Sequence, residues 1–78
     1  MDHTTALRHL VQAESRFSDS MDQVARQREL VQKLESIGDD CRQAKVRLAR
    51  FEQMLYLSVI DRERVLRDMN AIETRSDN

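Results

Sequence analysis

The sequence predicts an all-α protein in which two long helices fold back on each other as an antiparallel, coiled-coil-like hairpin. The 78 residues contain no proline, one glycine and only 4% aromatic side chains, so the residues that favour and punctuate β-strands are scarce. Apolar residues recur at alternating steps of three and four on both sides of the glycine, the spacing of helices packed at a shallow angle. The glycine lies near the middle of the chain, where a hairpin needs its turn.

The chain is predicted to be one domain, residues 1–78, divided by a turn at Gly38. We expect a first helix at about 4–37, the turn at 38–39, a second helix at about 40–73 and a frayed tail at 74–78. Gly38 suits the left-handed conformation that ends a helix, because it has no Cβ to clash there. Asp40 followed by Gln43 has the spacing of a capping box at the start of the second helix. The serines at 18 and 20 favour helix weakly, and we predict that the first helix continues through them.

The seam between the helices is predicted from the three-and-four spacing. In the first helix it comprises Leu7, Leu10, Glu14, Phe17, Met21, Val24, Arg28, Val31 and Glu35. In the second helix it comprises Cys41, Ala44, Leu48, Phe51, Leu55, Ser58, Arg62, Val65, Met69 and Ile72. When the chain folds at Gly38 the two stripes match, with Leu7 facing Ile72, Leu10 facing Met69, Val24 facing Leu55 and Val31 facing Leu48.

Two rungs of this seam pair an arginine with an aromatic ring. Phe17 is predicted to lie opposite Arg62, and Arg28 opposite Phe51. A guanidinium lying over a ring contributes about 0.5–2 kcal/mol and still reaches water. Glu14 lies within one turn of Arg62, so we also expect an ion pair of small energy there.

The segment Met54–Ile60 is the anomaly of the sequence, because six of its seven residues are apolar. Seven residues cover about two helical turns, so the second helix is apolar nearly all round here, as buried helices are. The intramolecular seam covers only one side of it. We therefore predict an oligomer or partner surface formed by Met54, Tyr56, Leu57, Val59 and Ile60, with a homodimer that forms a four-helix bundle. The alternative is that a kinked first helix covers this segment.

The sequence favours a non-enzymatic protein. It has no glycine-rich phosphate loop, no serine–histidine–aspartate set and no cysteine–histidine neighbourhood, so we predict no catalytic residue and no cofactor. His3 and His9 are six residues apart, which does not place them on one helical face, so no metal site is predicted. A free amino terminus with His3 at the third position chelates copper or nickel, and this is the weakest of the candidate sites.

A basic stretch of Arg42, Lys45, Arg47 and Arg50 suggests the alternative function, a small nucleic-acid-associated protein. Arg42 and Lys45 point one way and Arg47 and Arg50 another, so the stretch reads as ordinary solvated helix surface. The net charge is −1 with both signs interspersed, which does not indicate a polyanionic partner.

Charge, cysteine usage and hydropathy predict a cytoplasmic protein without a membrane partner. The single Cys41 fits a reducing compartment, where it serves as a small core residue. The apolar run at 54–60 is too short to span a bilayer.

The middle of the chain resembles a group of short bacterial proteins of unknown function. The resemblance covers about residues 24–66 and rests on a pattern read here as Ala25-Arg26-Gln27-Arg28-Glu29-Leu30-Val31, Leu34-Glu35, Gly38, Asp40, Ala44, Leu48, Phe51-Glu52 and Asp61-Arg62. It implies a helical hairpin and a bacterial, cytosolic origin, and it brings no activity, cofactor or partner. Asp39 stands where that group often has histidine, so any role of the histidine does not carry over. In size and shape the chain is also similar to small helical-hairpin chaperones, so an adaptor or chaperone role is an expectation by fold analogy.

Overall fold

The computed structural model describes residues 2–76, with side chains as far as Thr74, and the described residues form two helices joined by a turn. Helix α1 spans His3–Ser36 and helix α2 spans Arg42–Ser76. The two helices pack along each other in a rod of 63 × 14 × 14 Å. Ion pairs join Glu14 to Arg62 and Glu35 to Lys45, so the start of α1 lies beside the far part of α2. This arrangement confirms the antiparallel hairpin.

Helix α1 begins with a side-chain cap. Asp2 is extended, with φ −83° and ψ 169°, and its carboxylate accepts the N–H of Thr5 at 2.7 Å. This bond satisfies one of the N–H groups that the first helical turn leaves without a partner. Because the ionised carboxylate is the better acceptor, the backbone hydrogen bond from Thr5 lowers the pKa of Asp2.

The turn is built on Gly38, as predicted. Gly38 has φ +73°, the left-handed region that an L-residue with a Cβ enters only with strain. Its N–H donates to the carbonyl of Glu35 at 3.1 Å, and the N–H of Asp39 donates to that of Leu34 at 2.9 Å. These two bonds form a Schellman motif, which satisfies the last carbonyls of α1.

The predicted start of the second helix is wrong by two residues. Helix α2 begins at Arg42, not at residue 40, because the chain uses residues 39–41 to leave the turn. Asp40 does not form the predicted capping box with Gln43. Its carboxylate instead accepts the N–H of Arg42 at 3.0 Å and binds the Arg42 guanidinium at 2.9 Å. Cys41 supplies the first helical carbonyl, which accepts the N–H of Lys45 at 2.9 Å.

The predicted frayed tail also begins too early, because α2 continues to Ser76. The hydroxyl of Thr74 donates to the carbonyl of Asn70 at 2.8 Å, so this polar residue follows the helix without breaking it. Residues 77 and 78, the rest of that tail, lie outside the described residues. Helix α1 is unbroken through Ser18–Ser20, as predicted, and Ser20 is buried in the seam.

The seam on α2 follows the prediction at every position. All ten predicted residues are buried or half-buried, with Ser58 and Met69 the most buried. Helix α2 therefore faces α1 with the stripe that its three-and-four spacing indicates.

The seam on α1 was predicted correctly at only every second position. The residues that lie in it are Ala6, Leu10, Ala13, Phe17, Ser20, Val24, Gln27, Val31 and Leu34. Leu10, Phe17, Val24 and Val31 were predicted. Glu14 was also predicted and is half-buried beside Arg62, whereas Leu7, Met21, Arg28 and Glu35 are exposed on the flank, one residue further along. The physical reason is charge: the predicted stripe would bury the ionised side chains of Arg28 and Glu35 at high desolvation cost, and in the observed packing both stay exposed.

Gln27 is the polar residue that this rotation brings into the seam. It is only 7% exposed, and its Nε2 donates to the carbonyl of Ala44 on the opposite helix at 3.0 Å. Burying an amide without a hydrogen bond costs free energy. The bond from Gln27 to Ala44 therefore favours the one alignment of the two helices in which it can form.

Candidate interaction surface on the second helix

Arg62 connects the two helices at the far half of the hairpin. Its guanidinium carbon lies 5.5 Å from the centre of the Phe17 ring, and its Nε donates to a Glu14 oxygen at 2.8 Å. Both contacts were predicted. Arg28 differs from the prediction, because it lies on the flank of α1 and its guanidinium reaches toward Glu52, at 4.0 Å.

The apolar run of α2 is open to solvent. Met54, Tyr56 and Leu57 are 52%, 65% and 56% exposed, while Val59 and Ile60 are half-buried. Helix α1 is continuous and does not wrap over these side chains. The alternative, that a kinked first helix covers the segment, is therefore wrong for Met54, Tyr56 and Leu57. The role of the five residues as an interface stays a prediction.

The run does not form a single face. At about 100° per residue, Met54 and Leu57 lie on one side of the seam, and Tyr56 and Val59 lie on the other. Ile60 lies between Leu57 and Tyr56 around the helix, on the part of α2 that faces away from α1. A single flat partner cannot cover all five residues at once, because Met54 and Val59 lie at opposite ends of this arc.

A groove lies between the helices on the side of α2 that carries Met54 and Leu57, which we call the Met54 side. The groove has a volume of about 510 Å³, and its walls are formed by Arg16, Asp19, Ser20, Gln23, Met54, Leu57, Ser58 and Asp61. At its far end Arg16 and Asp61 form an ion pair across the helices, at 2.6 Å. The α1 wall of the groove is thus polar, whereas the α2 wall is apolar at Met54 and Leu57 and polar at Ser58 and Asp61.

A second groove continues along the same side toward the turn. It has a volume of about 440 Å³, and its walls are formed by Gln27, Leu30, Leu34, Asp40, Gln43, Ala44, Val46, Arg47 and Arg50. Arg47, Met54 and Asp61 are spaced by seven residues, or about two turns, which places them in one line along α2. Both grooves therefore lie on the Met54 side.

The basic stretch of α2 does not gather into one cationic surface. Arg42 is bound to Asp40, and Lys45 is bound to Glu35 at 3.2 Å. The Glu35 carboxylate raises the pKa of Lys45, and Arg42 lowers the pKa of Asp40. Arg47 and Arg50 instead line the groove near the turn and are in no ion pair among the described residues.

Sequence reasoning missed the four residues that α1 contributes to the groove, namely Arg16, Asp19, Ser20 and Gln23. They are polar and belong to no motif, so only the packing of the helices brings them beside Met54. The seven-residue spacing of Arg47, Met54 and Asp61 was visible in the sequence and is the signal that identifies this line.

Within residues 2–76, no three metal-ligating side chains lie close enough to hold an ion. Met1, part of the candidate copper motif, lies outside the described residues. Neither helix, over its described length, is sufficiently apolar to cross a membrane.

The fold defines the class of protein as a two-helix hairpin. No protein-family model, curated protein or solved structure matches the chain. The resemblance to short bacterial hairpin proteins therefore stays a prediction.

Proposed function

We propose that this protein is a non-enzymatic protein–protein interaction module that self-associates through the apolar run of α2, as a homodimer that forms a four-helix bundle. The observation that carries the proposal is the exposure of Met54, Tyr56 and Leu57 within one turn of a helix. Exposed apolar clusters of this kind mark association surfaces in soluble proteins.

The small core supports the same proposal. Among the described residues, the buried apolar side chains are Ala6, Ala13, Val24, Val31 and Met69, and no large side chain is fully buried. A hairpin of this size gains little stability from so thin a core, and natural proteins of similar size often add it by oligomerisation. Pairing two hairpins along an apolar side would give each helix a second neighbour.

The surfaces left outside such a dimer suit an adaptor or a small chaperone, which presents helix faces to another protein. Several titratable side chains line the open grooves between the helices, but those in ion pairs stay more than a third exposed, which supports binding over catalysis. We propose a cytoplasmic location on the basis of the mixed surface charge and the single, unpaired Cys41.

The test replaces Leu57 by glutamate. A carboxylate at this position would have to be buried in the dimer, so Leu57→Glu is expected to halve the solution mass measured by light scattering and to lower the melting temperature. Val11→Glu is the matched control, because Val11 is also an exposed apolar residue but lies on α1. A wild-type protein that is monomeric at all concentrations, or a Leu57→Glu variant that stays dimeric, would contradict the proposal.

Nucleic-acid association through Arg42, Lys45, Arg47 and Arg50 is the alternative, and it has less support. Two of the four cations are neutralised by Asp40 and Glu35, which reduces the phosphate contacts that the stretch can make. Binding of labelled DNA or RNA that weakens steeply with salt would favour it. A dimer that is insensitive to salt and unaffected by nucleic acid favours self-association.

A further inference from the structure

We infer that the partner on the Met54 side is a second copy of this chain, packed antiparallel about a two-fold axis at Met54, with Arg47 of each copy against Asp61 of the other. This inference rests on the proposed self-association and specifies which side of α2 is used and in what register. Three observations lead to it.

The first is the position of the charges along α2. Arg47 and Asp61 each lie seven residues from Met54, on opposite sides of it and in the same line, so each is about 10 Å from Met54 along the helix. A two-fold axis at Met54 brings residue 47 of one copy to the level of residue 61 of the other. Because the two-fold symmetry repeats the contact between Arg47 and Asp61, one such pair lies on each side of the apolar centre at Met54.

The second is the charge of the groove walls. The groove beside Met54 and Leu57 contains two carboxylates, Asp19 and Asp61, and one guanidinium, Arg16, which pairs with Asp61 at 2.6 Å. Asp19 is in no ion pair among the described residues, and neither is Arg47. An arginine from a second copy would therefore enter a groove with one excess negative charge, which is the complementarity that fixes register in interfaces.

The third is that the opposite side of α2 lacks this symmetry. Seven residues before and after Val59 lie Glu52 and Leu66, so a two-fold axis there would set a carboxylate against an apolar side chain. Glu52 also faces Arg28 of its own chain. A two-fold axis at Val59 therefore gives no opposite-charge pair, in contrast to the axis at Met54.

A disulfide test locates the axis. In a Cys41→Ser background, Met54→Cys places the new thiols of the two copies next to each other, and mild oxidation is expected to give a covalently linked dimer. Tyr56→Cys in the same background is the control, because its side chain lies on the other side of α2 and should remain unlinked. Linking at Tyr56 and not at Met54 would overturn the inference.

A charge-reversal test fixes the register without relying on the cysteine variants. Arg47→Glu is expected to weaken dimerisation roughly tenfold, since it turns two attractive contacts into repulsive ones. Asp61→Arg does the same and also removes the ion pair with Arg16 of its own chain. The double variant is therefore expected to dimerise roughly tenfold more tightly than Asp61→Arg alone. Arg67→Glu, which makes the same charge change at another exposed position, is the control and should have little effect.

The outcomes separate the two proposals. A wild type that is monomeric by mass overturns both. A wild type that is dimeric, with no linking at Met54 and no rescue in the Arg47→Glu, Asp61→Arg double variant, overturns the register and leaves self-association standing. Linking at Met54 together with rescue supports the two-fold arrangement.

Discussion

Gly38 shows how one backbone conformation places two helices side by side. Its φ of +73° allows the two hydrogen bonds that close α1, and its Cβ position is open, with no atom within 4 Å. A substitution here therefore acts through backbone strain and not through a clash.

We accordingly predict that Gly38→Ala destabilises the protein by about 1–2 kcal/mol, the cost of holding an L-residue in the left-handed region. Gly38→Asn should cost less, because asparagine enters this region more readily. Urea denaturation at one fixed protein concentration measures both, which keeps any contribution from dimerisation constant. Equal losses for alanine and asparagine would show that left-handed strain is not the cause.

Asp2 illustrates a residue whose charge supports a helix end. The carboxylate that accepts the N–H of Thr5 has a lowered pKa, so its contribution to stability is present above the unfolded pKa, near 3.8. As the pH falls through the folded pKa, the carboxyl is protonated and that contribution is lost.

We also predict that Asp2→Asn removes the contribution of the Asp2 carboxylate to the loss of stability at acid pH. Asparagine also caps helices, so the variant should resemble wild type at pH 7 in helicity, while the difference between pH 7 and pH 3 becomes smaller. Circular dichroism at the two pH values measures the effect. An unchanged pH dependence in Asp2→Asn would mean that the cap does not depend on the ionised carboxylate.

At the scale of the elements, the two helices differ in how readily their packing faces can be predicted. On α2, seam and spacing coincide because its nine seam positions from Ala44 to Ile72 include one charged residue, Arg62, which can extend along Phe17 to Glu14. On α1, two stripes one residue apart compete. One contains the larger apolar side chains Leu7 and Met21, and the other contains small residues.

The small residues prevail on α1 because the competing stripe carries ionised groups, and because alanine and serine let two helices approach closely. Hydrophobic spacing alone does not reveal this, since alanine suits either a surface or a core position. The same limitation explains why the capping box failed: the length of the turn depends on how Asp39 and Asp40 bond locally, and not on the Asp40–Gln43 spacing.

Close approach of the helices leads to a prediction about Ala13, which is fully buried, at 0% exposed. Ala13→Leu should destabilise the hairpin by about 1–3 kcal/mol, because the extra carbons have no space without separating the helices. Ala25→Leu is the matched control on the same helix, where the side chain is exposed and the change should stay within about 0.5 kcal/mol. If the two variants have equal stability by urea denaturation, Ala13 does not set the distance between the helices.

At the scale of the whole molecule, the hairpin is long and thin, so most of its surface is available to other proteins. The sequence predicted all three of the strongly exposed residues of the apolar run, because no two-helix chain can cover an all-round apolar segment. It did not predict the groove, because Arg16, Asp19 and Gln23 become neighbours of Met54 only when α1 adopts its observed rotation.

The distribution of the apolar run around α2 determines how many docking surfaces a dimer presents to other proteins. If two copies pair through the Met54 side, Tyr56 and Val59 of each copy stay outside, and the two-fold axis points them in opposing directions. One assembled particle then carries two equivalent docking points instead of one. A target that presents the matching site twice would be held by both, which strengthens capture far beyond the affinity of either contact and lets a 9.2 kDa chain act as a clamp or a cross-linker.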